Sequence, residues 1–175
     1  MSLVAFLRGA NVGGHKVFRP AVVAAELSAF DVVNVGAAGT FVVRKAVSQA
    51  TFRAALRRCL PFDTEFMLCR GSEVIDLATA APFPPLSSRE DLRPFVSVLS
   101  RRPSKLPPLP YTQPTGKDWE VQLLGVQGRF VLSWWRRTAR ARLYPNEVVE
   151  KKLLVAATTR NWDTIGKIHR LLLDE

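Results

Sequence analysis

The sequence predicts an α+β fold built from two ferredoxin-like (βαββαβ) halves, the second degenerate. Three observations carry that expectation. Strand-like and helix-like patterns alternate in a fixed order through residues 3–70, prolines interrupt the chain near residue 82, and a weaker echo of the same order follows.

Each element of the first half has a local reason. Leu3-Val4-Ala5-Phe6-Leu7 is apolar throughout and stops at Arg8, the pattern of a strand buried on both faces. Residues 18–30 open on Arg19-Pro20, where proline suits a first helical turn, and place Val22, Val23, Leu27 and Phe30 near helical spacing. Residues 31–35 and 41–44 are rich in β-branched side chains and flank Gly36-Ala37-Ala38-Gly39-Thr40, predicting strand, turn and strand. Ser48 opens a second helix in which Phe52, Leu56 and Leu60 recur every four residues until Pro61 stops it. Residues 62–69 supply the closing strand.

In the second half, residues 72–80 read as a helix, Pro82-Phe83-Pro84-Pro85 breaks it, and a polar linker runs to Leu92. The boundary falls here, giving an N-terminal subdomain over 1–80 and a C-terminal subdomain, with the last helix, over 81–175. Residues 94–99 read as a strand, and 103–114 hold too many prolines for a long regular helix. Residues 119–124 and 129–135 flank Gly125-Val126-Gln127-Gly128 as a hairpin. Asn146 is placed to cap a short helix through Leu153. Asp163 is placed to cap the last one, whose Ile165, Ile168, Leu171 and Leu172 form an apolar stripe.

With 175 residues and 47% apolar side chains, the chain is long enough to bury about 70% of its unfolded surface. It contains no apolar run of about 18 residues and no basic leader before residues 3–7, so a soluble, cytoplasmic protein with no membrane role is expected. Cys59 and Cys69 lie in no Cys-x-x-Cys motif and have only His15 and His169 as imidazole partners. That pattern predicts neither a metal site nor a disulfide, and no residue set points to a cofactor. The net charge of +10 invites an anionic partner. Eighteen arginines against seven lysines, among abundant alanines, also fit a GC-rich coding bias.

Two polar words, the first marked by glycines, are unexplained by core packing. The first, Arg8-Gly9-Ala10-Asn11-Val12-Gly13-Gly14, follows the first strand. Its glycines permit positive φ, its N–H groups lead toward a helix, and Arg8, Asn11 and Lys16 add donors. It is no P-loop: His15 stands where lysine belongs, and Lys16-Val17 lacks the magnesium-binding hydroxyl. The second word, Thr158-Thr159-Arg160-Asn161-Trp162-Asp163-Thr164, places an arginine fork beside an amide just before the last helix. Together the words resemble those of the bacterial family known as domain of unknown function 1697. That resemblance implies a duplicated fold and no established activity. The family's third word, Gln-Ser-Gly-Asn, falls on Ala37-Ala38-Gly39-Thr40, where the glycine remains but the serine and asparagine do not.

Arg8, Asn11, Gly13, Gly14, Arg160 and Asn161 are therefore the candidate binding residues for a small anionic or nucleotide-like ligand, converging on a pocket at the subdomain junction if the two words meet. A second reading takes Arg136, Arg137, Arg140 and Arg142, beside Trp134 and Trp135, as a nucleic-acid surface. Strand alternation, however, sends the two indoles to opposite faces. A third reading is an interaction protein in which both words are structural. Catalysis has no clear constellation: Asp63 and Glu65 share one face of a strand without a partner, and His15 is an isolated loop imidazole. Whether the protein is an enzyme, and its oligomeric state, stay open at this level.

Overall fold

In the computed structural model, which describes residues 1–84 and 90–174, two antiparallel sheets and five helices make a mixed α+β fold. The chain divides into two compact units: Met1–Ala80 with the C-terminal segment from Asp163, and Ala81–Trp162. The last helix, grouped with 81–175 in the sequence reading, thus belongs to the first unit. The linker read between Pro85 and Leu92 lies largely outside the described residues.

The first unit runs β1 (Leu3–Leu7), α1 (Pro20–Glu26), β2 (Val32–Asn34), β3 (Thr40–Val43), α2 (Gln49–Cys59), β4 (Phe66–Arg70) and α3 (Gly71–Thr79), and is completed by α5 (Trp162–Leu173). Its strands lie in the order β2-β3-β1-β4. All five residues of β1 are buried, as a continuous apolar run requires of a central strand. One face, with Leu3, Ala5, Leu7, Phe41 and Val43, packs on Phe52 and Leu56 of α2 and on Val23 and Leu27 beside α1.

Helix α2 begins at the Ser48 cap, whose hydroxyl accepts the Thr51 N–H at 3.1 Å. Helix α1 is shorter than the predicted span. The chain tightens into a 3₁₀ turn, Ser28–Phe30, and ends at Asp31 with φ +52°. Two adjacent valines in α1 and that left-handed residue limit how far the helix propagates. β4 also starts later than expected, so Asp63 and Glu65 precede the strand rather than share a face of it.

The second unit contains β5 (Leu92–Leu99), β6 (Tyr111–Gln113), β7 (Val121–Gln127), β8 (Phe130–Arg136), α4 (Pro145–Leu153) and β9 (Ala157–Asn161), with sheet order β6-β7-β8-β5-β9. Val148, Val149 and Leu153 of α4 pack on Leu99, Val121, Leu123 and Val131. The β7–β8 hairpin exists, but its turn is Gly128-Arg129: Gln127 pairs with Phe130, and Gly128 has φ +61°. Gly125 instead lies at a register shift in β7, the bulge use of a strand glycine. Asn146 sits inside α4, not at its cap, and accepts the Thr159 hydroxyl at 2.9 Å. Asp163 likewise falls within the first turn of α5. Among the described residues no helix is long and apolar enough to cross a membrane.

Candidate functional site

The first word leaves β1 and folds back on itself as a small hairpin. The Asn11 N–H donates to the Lys16 carbonyl at 3.2 Å, and the His15 N–H to the Val12 carbonyl at 3.0 Å. Gly13 and Gly14 form the tip with φ of +58° and +76°, the pair of positive angles a type I′ turn demands. The turn therefore accounts for these glycines. The anion cradle expected from the sequence is not built: two N–H groups close the hairpin, and α1 starts only at Pro20 and is 7 residues long.

Asn11 bolts this hairpin down. Its Nδ2 donates to the Ala37 carbonyl at 2.7 Å and the Phe18 carbonyl at 3.2 Å, while Oδ1 accepts the Phe18 N–H at 2.9 Å. Both amide hydrogens are committed to backbone, and asparagine tolerates the φ of +53° found here. The first and third words thus meet at Ala37. The third word's glycine is equally constrained: Gly39 has φ +70°, and a Cβ there would lie 2.9 Å from the Leu7 Cβ and 3.2 Å from the Phe18 ring. Thr40 is wholly buried in β3.

Arg8 and Lys16 carry the charge of this region. The Arg8 Nη1 lies 3.5 Å from the Glu65 Oε2, with the side chains 40% and 65% exposed, so the pair contributes little to stability. Lys16 is held more firmly. Its ammonium donates to the Thr64 Oγ1 at 2.9 Å, and that hydroxyl donates in turn to the Arg8 carbonyl at 2.7 Å. The ammonium also lies 6.0 Å from the centre of the Phe62 ring. Lys16 has φ +48°, a conformation costing about 1–2 kcal/mol for a side-chain-bearing residue. Beside it, Arg57, Leu60, Pro61, Phe62, Asp63 and Thr64 line a cavity of 340 Å³. Sequence reasoning passed over Thr64, Phe62 and Arg57, which follow or end α2 in no recognisable motif.

The second word is a strand before it is a helix start. β9 pairs antiparallel with β5, Arg160 opposite Val96 and Asn161 opposite Phe95. Alternation therefore separates the expected arginine and amide pair: Arg160 is 7% exposed, whereas Asn161 is exposed at the strand end. The Arg160 Nη1 donates to the Thr158 Oγ1 and the Thr159 carbonyl, each at 2.9 Å. Burial pulls its guanidinium down to about 10, with the nearby Tyr144 acting in the opposite sense. Burial likewise pushes the Tyr144 phenol up, and Arg160 counters it. Arg8 and Asn11 belong to the first unit, Arg160 and Asn161 to the second.

The arginine cluster after β8 is only partly available to a partner. The Arg136 guanidinium stacks 4.0 Å from the Trp119 ring centre, donates to the Lys117 carbonyl at 2.9 Å and lies 3.7 Å from Asp91. Glu120 binds the following loop through the N–H groups of Arg142 and Leu143, both at 2.7 Å, leaving the side chains of Arg137, Arg140 and Arg142 exposed. Trp134 stacks with Phe83, whereas Trp135 packs on Phe95 and Tyr144. Burial, followed by a hydrogen bond with Glu26, pushes the Cys59 thiol up, away from thiolate chemistry. Among the described residues no group of three or more His, Cys, Asp or Glu side chains could hold a metal ion.

These features define a class: a two-unit α+β protein whose first unit carries a pinned glycine hairpin beside a cavity of small-molecule size. The chain belongs to the family described as Protein of unknown function (DUF1697), whose model matches residues 1–122. It is similar in fold to a solved structure described as conserved bacterial protein SP0830 from Streptococcus pneumoniae, with 18% identity, 98% of each chain covered and a TM-score of 0.57. No curated protein matches it.

Proposed function

We propose that the protein binds a small anionic ligand, such as a phosphorylated or carboxylated metabolite, in the cavity beside Lys16. The observation that carries this reading is the placement of the Lys16 ammonium. A left-handed backbone is tolerated there, and the ammonium is fixed on a buried threonine at the edge of a 340 Å³ cavity that also has Arg57 in its wall. Thr64 uses one ammonium hydrogen, so two donors remain for an anion. Arg57 in the wall, with Lys16 held on the lining residue Thr64, sets two cations against the lining carboxylate of Asp63. Arg160 and Asn161 are not needed for this site, and no reaction is assigned to it.

The ferredoxin-like reading of the halves rests on order. In the first unit β1-α1-β2-β3-α2-β4 gives the sheet β4-β1-β3-β2; in the second, β9-β5-β8-β7 repeats it, with β6 added and no helix between β5 and β6.

The test is a calorimetric titration with inorganic phosphate, sugar phosphates, nucleotides and dicarboxylates. At least one should bind, and Lys16→Ala and Arg57→Ala should each weaken it by at least about tenfold, equivalent to about 1.4 kcal/mol, without altering thermal unfolding. Binding indifferent to both substitutions, or no binding across the panel, would overturn the site.

A further inference from the structure

A second cavity of 360 Å³ lies within the first unit, between the end of β2 and the solvent side of α5. Lys167, Arg170 and Leu171 of α5 line it together with Asp174 just past the helix end, at the i, i+3, i+4 and i+7 spacing of one face. The strand contributes Asn34, Val35 and Gly36.

Three features of this cavity point to a ligand with both charges. First, among the described residues the side chains of Lys167, Arg170 and Asp174 enter no hydrogen bond or ion pair, although they share one face. Arg170 suits the negative end of the helix dipole in the last turn, but Lys167 stands earlier and has no such explanation. Second, the Asn34 Oδ1 is buried and accepts no hydrogen bond from any described residue, and Asn34 lines this cavity. Third, Leu171 and the buried Val35 give the wall an apolar stretch, and the space over Gly36 is open, with no atom within 4 Å of where a Cβ would stand.

We propose that this cavity binds a free amino acid or a close amphoteric analogue. Its carboxylate would lie between Lys167 and Arg170, and its ammonium near Asp174, the last carbonyls of α5 and the Asn34 amide. An apolar side chain would rest on Leu171 and Val35. Inorganic phosphate satisfies only the cationic half of this set.

The standard amino acids, potassium phosphate, and the N-acetylated and C-amidated forms of any amino acid that binds should be titrated while backbone amide NMR shifts are followed. The expected result is saturable shifts at residues 34–36 and 167–174 with at least one apolar amino acid, weakened at least tenfold by either blocking group and by Arg170→Ala or Asp174→Ala. Both positions are exposed, Arg170 on the last turn of α5 and Asp174 just past it, and unchanged thermal unfolding checks that the helix is retained. Lys16→Ala, carried in parallel, separates the two cavities. Amino-acid shifts lost in Lys16→Ala but kept in Arg170→Ala would overturn the proposal, as would phosphate binding alone or no shift with any amino acid at millimolar concentration.

Discussion

Asn11 and Arg160 are both polar side chains in short marked segments next to strands, yet their surroundings are opposite. Asn11 sits in an open hairpin and gives its amide hydrogens to backbone carbonyls of Phe18, later in the same connection, and Ala37 in the β2–β3 turn. Arg160 sits in an edge strand, buried, and binds a hydroxyl and a carbonyl of its own strand. The first fixes a loop that water surrounds; the second carries a charge into a region from which water is excluded. The same kind of sequence signal has therefore been put to two physical uses, and the contrast can be broken by substitution.

The largest effect is expected at Arg160. Replacing it with alanine removes a long buried side chain and leaves the Thr158 hydroxyl and Thr159 carbonyl without that donor, so stability should fall by about 3 kcal/mol in urea unfolding. Asn11→Ala should cost about 2 kcal/mol, from three lost hydrogen bonds moderated by solvent and from alanine in a left-handed conformation. Asn11→Gly should recover about 1 kcal/mol of that loss, since only the conformational part is restored. An Asn11→Ala cost exceeding that of Arg160→Ala would reverse the comparison.

The smallest effect is a dependence on alkaline pH. Arg160 has a folded value of about 10, well below the ordinary arginine range, so above pH 10 the folded state holds fewer protons at this group than the unfolded state does. The penalty of burying the charge is fully present below pH 10 and is relieved as pH rises above it toward the ordinary arginine range. Tyr144, shifted upward, acts with the opposite sign over the start of that range. Tyr144→Phe should therefore steepen the alkaline rise in stability relative to Arg160→Ala, measured by urea unfolding between pH 8 and pH 11. Parallel profiles for the two variants would show that neither group titrates with folding.

Much of the first unit was legible because its signals are redundant. β1 is apolar at every position, and α2 has a serine cap, a four-residue period and a proline stop. β9 was not legible as a strand. Thr158 and Arg160 occupy its buried face while Thr159 and Asn161 alternate with them, so no apolar rhythm marks the element. Gly125 misled for a related reason: turns and bulges both require glycine, and only strand pairing distinguishes them. Of the candidate site, the positive φ of its glycines and the donors of Arg8, Asn11 and Lys16 were readable. Which donors are consumed was not, because the partners Ala37, Phe18 and Thr64 are fixed by tertiary structure.

The route of the chain has a kinetic consequence. Because α5 belongs with residues 1–80 while 81–162 form the other unit, the first unit receives one of its buried helices only from the last stretch of sequence. On the ribosome, β1 through α3 emerge early but must wait, with the seats for Ile165, Ile168 and Leu172 unfilled, until the intervening unit has been synthesised. Loop closure across so long an insertion adds only logarithmically to the entropy cost, so the delay falls on timing rather than on final stability. During that interval the nascent first unit exposes apolar surface to chaperones, and a stall before residue 163 would leave it unfinished.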